Sequence, residues 1–466
     1  MSTPTHTSGP PIERTRWSAV LAVALGVVLV GLDMTVVAVT LPLLGEYFDV
    51  GASTTQWVML AYMLPLAALS VPAGRWLDRA SLRAGFLLAV GGFGASSLLI
   101  ALAPSMAALL AGRFLQGVFG SLVGVVGMPI VAAAVRPEHR ARAMSIVLTL
   151  IPLSGVAGPA IGGILADAYG WRAVFLVNLP IVLAAAVLAR RTITAGALGR
   201  AGLPLPTGRQ LGEAGVLAAG TGAGLLALDL LGGTGGFVLA CALAATAVAA
   251  FGWWVRMAES RPVRGLLRRR NLALPLLALP MLTAGVGTLN FLVPYFLAGS
   301  VGASPSTIGA ILLAVSAGMA ATSPIAGVLA DRVGNRPVTT AGAIVVTGGM
   351  LALLLVDAGS TPVDLVWRLA LVGIGNGLFA GPNAAAILEH TPAEQVGTSS
   401  GVTALLRTLG FAFGPALGAL AWTTSSGGVA GWHAGIAIVL AGSLVALLVT
   451  LVNAALSNRA QGAQSQ

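Results

Sequence analysis

About fourteen apolar runs, each near 20 residues long, dominate this 466-residue chain. They fall at roughly 17–41, 53–73, 84–103, 105–131, 143–166, 172–189, 211–231, 234–255, 271–298, 306–330, 338–357, 363–388, 398–422 and 431–453. Runs of that length match a hydrocarbon core about 30 Å thick. Backbone groups in lipid have to be hydrogen-bonded within the protein, which leaves helices or a closed barrel. The ten-residue alternation of barrel strands is missing. The expected fold class is therefore an all-α membrane protein with 14 transmembrane helices. Composition agrees: 57% of residues are hydrophobic and only 9% charged, against about 25% charged in a typical soluble domain. The first run is too long for the apolar segment of a signal peptide and lacks a clear small-residue cleavage site, so it is expected to stay as the first span.

The net charge of +10 comes from 25 basic residues against 15 acidic ones, and every basic residue is arginine. Their placement explains the excess, because basic residues favour cytoplasmic loops. With the N-terminus inside, the cytoplasmic segments collect Arg14 and Arg16, then Arg75, Arg79 and Arg83, then Arg136, Arg140 and Arg142. The later ones collect Arg190, Arg191, Arg200 and Arg209, the cluster from Arg256 to Arg270, Arg332 and Arg336, and finally Arg459. The outside receives Arg172 alone, while Arg113, Arg368 and Arg407 fall inside spans. Both termini are expected to be cytoplasmic, and no nucleic-acid partner is needed to explain the charge. Without lysine there is no Walker A phosphate loop. The single cysteine, Cys241, excludes an internal disulfide, and no Cys/His cluster offers a metal site. No metalloprotease, Gly-x-Ser-x-Gly or paired-carboxylate pattern stands at membrane depth, so an enzyme is not expected.

The chain also repeats itself. "GRWLDRASLR" at 74–83 matches "GVLADRVGNR" at 327–336, pairing Asp78 with Asp331, Arg79 with Arg332 and Arg83 with Arg336, each 253 apart. "SGVAGPAIGG" at 154–163 matches "GFAFGPALGA" at 410–419, with Gly158–Pro159 answering Gly414–Pro415. Arg113 and Arg368 lie 255 apart, and Glu138 and Glu394 lie 256 apart. This divides the chain into a tail (1–16), a six-helix half (17–190), a linker with two extra helices (191–270), a second six-helix half (271–455) and a tail (456–466).

These motifs, in this order and spacing, resemble the major facilitator superfamily, and within it the fourteen-spanner drug:proton antiporters. The first-span signature approximates LDxTVVNVALP; here it reads "LDMTVVAVTLP" at 32–42, with Ala38 for Asn and Thr40 for Ala. "TQWVMLAYML" at 55–64, "GRFLQG" at 112–117, "GPAIGG" at 158–163 and "GWRAVFLVNLP" at 170–180 extend the likeness over nearly the whole chain. The loop motif, approximately GxLADRxGRR, is degraded in the first copy at Trp76, Leu77, Ser81 and Leu82 and better kept in the second. The resemblance implies a major facilitator fold, two six-helix halves plus a two-helix insert. It also implies proton-driven efflux of an amphipathic small molecule, such as an antibiotic or other specialised metabolite, by alternating access. No cofactor is implied beyond the proton gradient. The implied setting is a bacterial cytoplasmic membrane and the expected state a monomer. A proton-coupled symporter of an organic solute and a non-transporting membrane sensor stay open as alternatives.

Asp33 is the one carboxylate deep within a span, while Glu213, Asp229, Asp357 and Asp364 lie nearer span ends. Intramembrane ionisable groups are functional by default, so Asp33 is expected to carry protons or touch substrate; a structural partner of an arginine is the other reading. Arg113, about nine residues into its span, is implicated in proton movement by the resemblance, or else ties off a helix end. The role of Arg407, ten residues into its own span, is left open. Gln56, Trp57, Tyr62, Gln116, Asn290, Asn376 and Asn383 are candidates for the substrate path, or for interhelical hydrogen bonds and interface anchors. Gly158, Pro159, Gly162, Gly414 and Pro415 suit close, kinked helix packing, and the resemblance adds a gating role for the fifth span. Asp78, Arg79, Arg83, Asp331, Arg332 and Arg336 are either topology signals or a latch on the cytoplasmic side.

Overall fold

The computed structural model describes residues 15–77, 79–136, 139–193, 202–231, 236–257, 260–357, 359–392 and 395–464. Asp78, Glu138, Glu394 and most of the N-terminal tail lie outside the described residues. Fourteen long helices follow one another. They are α1 (Trp17–Val36), α2 (Trp57–Leu77), α3 (Leu82–Ala101), α4 (Met106–Ala134), α5 (Arg140–Tyr169), α6 (Asn178–Thr192) and α7 (Gly208–Leu231). After them come α8 (Phe237–Arg256), α9 (Arg270–Val301), α10 (Pro305–Val333), α11 (Asn335–Leu353), α12 (Pro362–Glu389), α13 (Val396–Thr424) and α14 (Gly428–Gln464). Thirteen of the stretches are long and apolar enough to cross a membrane. The remaining helix, α5, has 30 residues, about 45 Å at 1.5 Å per residue, and stands at the fifth expected place. No strand occurs among the described residues.

Local chemistry sets the helix ends. Ser304 accepts from Thr307 N ahead of Pro305 at the start of α10, and Thr361 and Asp364 form a capping box around Pro362 at the start of α12. Gly170 takes φ +77° between α5 and the short helix Trp171–Leu176, a conformation that L side chains resist. The last helix runs on to Gln464, through nearly all of the expected C-terminal tail.

Helices α1–α6 and α9–α14 form the two halves. Lipid gives helices no hydrophobic reason to associate, so the contacts rest on small residues that admit close approach. A Cβ at Gly158 would stand 2.0 Å from Thr35 Oγ1, and one at Gly162 2.5 Å from the Val36 carbonyl oxygen, so α5 lies directly on α1. In the second half Gly414 presses α13 onto Ala284 and Thr288 of α9 in the same way. Gly158→Val is therefore expected to cost about 1–3 kcal/mol through overpacking, read as a lowered melting temperature in detergent. Gly155→Ala, at a site with open space around its Cβ, should leave the melt unchanged.

The halves join unequally at their two ends. At the end away from the arginine clusters they share one core, in which Val36, Leu41, Leu44 and Phe175 meet Leu289, Phe291, Phe296 and Ile308. At the arginine-rich end the first half has a core of its own, built from Ala19, Phe86, Val126 and Ala185. Helices α5 and α10 make the seam explicit: Gly309 packs on the Pro159 carbonyl, Gly163 on that of Pro305, Ser316 Oγ donates to Gly155 O, and Ser306 N donates to Asp167. Toward the arginine-rich end α10 is largely exposed, at Ala321, Pro324, Ile325, Val328 and Leu329 among others. Thr55 and Tyr295 close the same far end with a hydroxyl–hydroxyl contact across the halves.

The insert, α7 and α8, packs chiefly against α2 and α13. Its two acids lie toward the ends of α7, where the sequence places them, and both are engaged by side chains. Glu213, six residues into α7, is buried and accepts from Trp254 Nε1 of α8, and Asp229 reaches α2.

Candidate functional site: a buried charge cluster in the first half

Asp33 is completely buried, three residues from the end of α1. Arg113 of α4, 1% exposed, reaches it with one guanidinium nitrogen at 2.6 Å. The other Asp33 oxygen accepts from Gln116 Nε2 and Asn178 Nδ2, both at 3.1 Å. Those two amides also donate to Ser97 Oγ of α3, at 2.8 and 3.2 Å. Arg113 is held independently: it donates to Gln116 Oε1 at 2.6 Å and through Nε to Val58 O at 2.8 Å. Its guanidinium lies over the Tyr62 ring at 4.4 Å, with Phe175 at 5.9 Å. Four helices (α1, α3, α4 and α6) and the start of α2 thus meet on one ion pair and the amides around it.

Such a cluster has two chemical properties. A buried pair with its remaining hydrogen-bond sites filled is tolerated in low dielectric, but removal of either partner strands a charge, at about 3–5 kcal/mol. The carboxylate is also the group in the cluster able to take up a proton, and doing so dissolves the pair. Protonation and helix packing are therefore mechanically linked. The Tyr62 hydroxyl is buried with no hydrogen-bond partner among the described residues, an open position on the rim of the same cluster.

Of the sequence-expected residues, Asp33, Arg113, Gln116 and Tyr62 come together here. Gln56 and Trp57 do not: both donate to Asp229 of the insert, at 2.8 and 3.3 Å. The three second-half amides bond to backbone instead, Asn290 to Val286 O, Asn376 to Val372 O, and Asn383 to Pro275 O across α12 and α9. Arg368, the repeat partner of Arg113, donates to Asp364 O within its own helix and stacks on Trp367. In the second loop Arg336 meets His390 at the end of α12, while Asp331 and Arg332 are exposed. In the first loop Arg79 is exposed and Arg83 half-buried. Ser97, Asn178 and Phe175 are not among the expected residues, although Asn178 and Phe175 stand within "GWRAVFLVNLP". An amide between two apolar runs is the signal the sequence offers.

Two six-helix repeats that share one core at one end, with α5 and α10 parting toward the other and an intramembrane ion pair inside the first repeat, have the architecture of a two-repeat membrane transporter. The chain belongs to the Major Facilitator Superfamily, whose profile matches residues 23–206 and 276–465 and leaves out the stretch that carries α7 and α8. It is 30% identical over 411 residues to the multidrug resistance protein Stp of Mycobacterium tuberculosis, covering 86% of this chain and 75% of the relative. It is 29% identical over 426 residues to the tetracenomycin C resistance and export protein of Streptomyces glaucescens, covering 88% of this chain and 77% of that one. Its fold resembles a bacterial homolog of the human lysosomal transporter Spinster in an inward-facing, occupied conformation. That likeness has TM-score 0.67 and 16% identity, over 96% of this chain and 98% of the other.

Proposed function

We propose that this protein exports amphipathic small molecules across a bacterial cytoplasmic membrane in exchange for protons, by alternating access. The observation that carries the reading is the buried Asp33–Arg113 pair inside the membrane. With the far end closed, Asp33 is ionised and paired. When the far end opens, a proton arriving from that side neutralises Asp33, releases Arg113 from it and weakens the packing of α1 on α4. Return to the closed state re-forms the pair and sends the proton out at the arginine-rich end. Substrate enters from that end, between the parted halves. The similarity to proteins named for drug resistance and export supports this direction of transport. No cofactor takes part, and the working unit is one chain with both termini in the cytoplasm.

Flux in proteoliposomes tests the reading. With an imposed proton gradient, an amphipathic dye should move against the proton flow. Movement with the protons would establish symport instead, and dye movement indifferent to an imposed gradient would remove the coupling. For orientation, Arg264→Cys in a Cys241→Ser background should resist an impermeant thiol reagent in intact cells, because Arg264 sits in the basic helix Arg261–Leu267. Ready labelling from outside would invert the topology.

A further inference from the structure

Arg407 is the third arginine within a span, and it is treated differently from the other two. Arg113 is paired with Asp33, and Arg368 is bound to its own helix. Arg407 has no ion pair or hydrogen bond among the described residues. It is the twelfth residue of α13, roughly 17 Å along the axis at 1.5 Å per residue, which places it well inside the bilayer. Its side chain is exposed, although protein surrounds its position as densely as it does the interior. The space it faces is therefore internal. Arg407 shares a helical face with Gly410 and Gly414, which seat α13 on α9, so that space lies beside α9, toward the end where the halves are parted. The repeat does not require it either: with Gly158–Pro159 set on Gly414–Pro415, the matching residue of the first half is Ile151.

An unpaired cation inside a membrane protein is costly to hold and marks a substrate or ion pathway. Three carboxylates that stand within the spans are already engaged, Asp33 by Arg113, Glu213 by Trp254 and Asp229 by Gln56 and Trp57. Among the described residues no carboxylate pairs with Arg407, which leaves the position open to a counter-charge from a bound ligand. Resting on the export reading above, we infer that Arg407 is the specificity-determining residue of the transport cavity and that it selects amphipathic organic acids, whose carboxylate or acidic phenol pairs with its guanidinium. The planar fork of donors suits a carboxylate bidentately.

The test is direct binding to the purified full-length protein in nanodiscs, by quenching of tryptophan fluorescence, with 1-hydroxy-2-naphthoic acid and its carboxamide as a matched pair. A charged hydrogen bond predicts that the acid binds about tenfold or more tightly than the amide. Arg407→Gln should bring the two to equal affinity, and Arg407→Lys should keep part of the preference. Equal affinities in the unsubstituted protein would overturn the inference, and need no variant that folds. So would a preference that survives Arg407→Gln, or inorganic phosphate displacing the acid as well as unlabelled acid does, which would make this a general anion site. The export reading is tested separately. Arg407-dependent acid binding without gradient-driven flux would sink export and leave this inference standing, whereas pumping of a cationic dye with no acid preference would do the reverse.

Discussion

Asp33→Asn is expected to abolish gradient-driven transport while leaving substrate binding measurable. The variant keeps the shape of the side chain and a hydrogen-bonding group, but it removes the one protonatable site at the centre of the cluster. It also leaves Arg113 buried and facing a neutral amide, at a cost of about 3–5 kcal/mol, so a lowered melting temperature should accompany the loss. The two effects can be separated. In the double variant Asp33→Asn/Arg113→Gln the stranded charge is gone, and Gln116 and Val58 O still offer partners to the new amide. Its melting temperature should recover most of the loss and its transport should not. The measurements are substrate-induced proton release from energised inverted vesicles, binding to purified protein, and a thermal melt. Proton release at the unsubstituted rate in Asp33→Asn would make the aspartate structural and place the proton carrier elsewhere.

The number and order of the helices are legible in the sequence because hydropathy and the thickness of a bilayer leave little choice. Each of the fourteen runs lies over a helix, with ends displaced by a few residues where capping chemistry or a short connecting helix intervenes. Part of the site is legible for the same reason. An acid and an arginine inside apolar runs are conspicuous, and Asp33 and Arg113 stand out on that ground alone. What they contact is not legible. Ser97 and Asn178 belong to α3 and α6 and reach Asp33 only because the six-helix half folds around it; neither has a spacing along the chain that points to residue 33. Neutral amides are harder to read. Asn290, Asn376 and Asn383 stand out in an apolar sequence, and each bonds to a backbone carbonyl, as a polar group in lipid has to if no better partner arrives. The carboxylate of Asp229 draws Gln56 and Trp57 to the insert, a long-range pairing across 173 and 172 positions that periodicity cannot express.

Bridging α5 to α10 at the far end is expected to stop transport completely and reversibly. In the present state Asp167 Oδ2 accepts from Ser306 N at 3.0 Å, next to the contacts of Gly163 with Pro305 and Gly309 with Pro159. Cysteines at 167 and 306 are close enough to be joined directly or by a short bifunctional reagent, and Cys241, the only native thiol, is replaced by serine to keep the chemistry single-sited. Alternating access requires this seam to part when the arginine-rich end closes. A covalent bridge holds it shut, so the protein should still bind substrate from the arginine-rich side but complete no cycle. Reduction, or omission of the cross-linker, should restore the rate of the cysteine pair before bridging. Thr55, just before α2, and Tyr295 of α9 hold the same end, and a bridge between those two positions should act in the same way, whereas one confined to the first half should not. The readout is dye flux in proteoliposomes against the fraction bridged, followed by gel mobility after cleavage between the halves. Full transport by fully bridged protein would show that the far end need not open at this seam, and the path of substrate would then have to lie along the face of α2 and α13, where the insert packs.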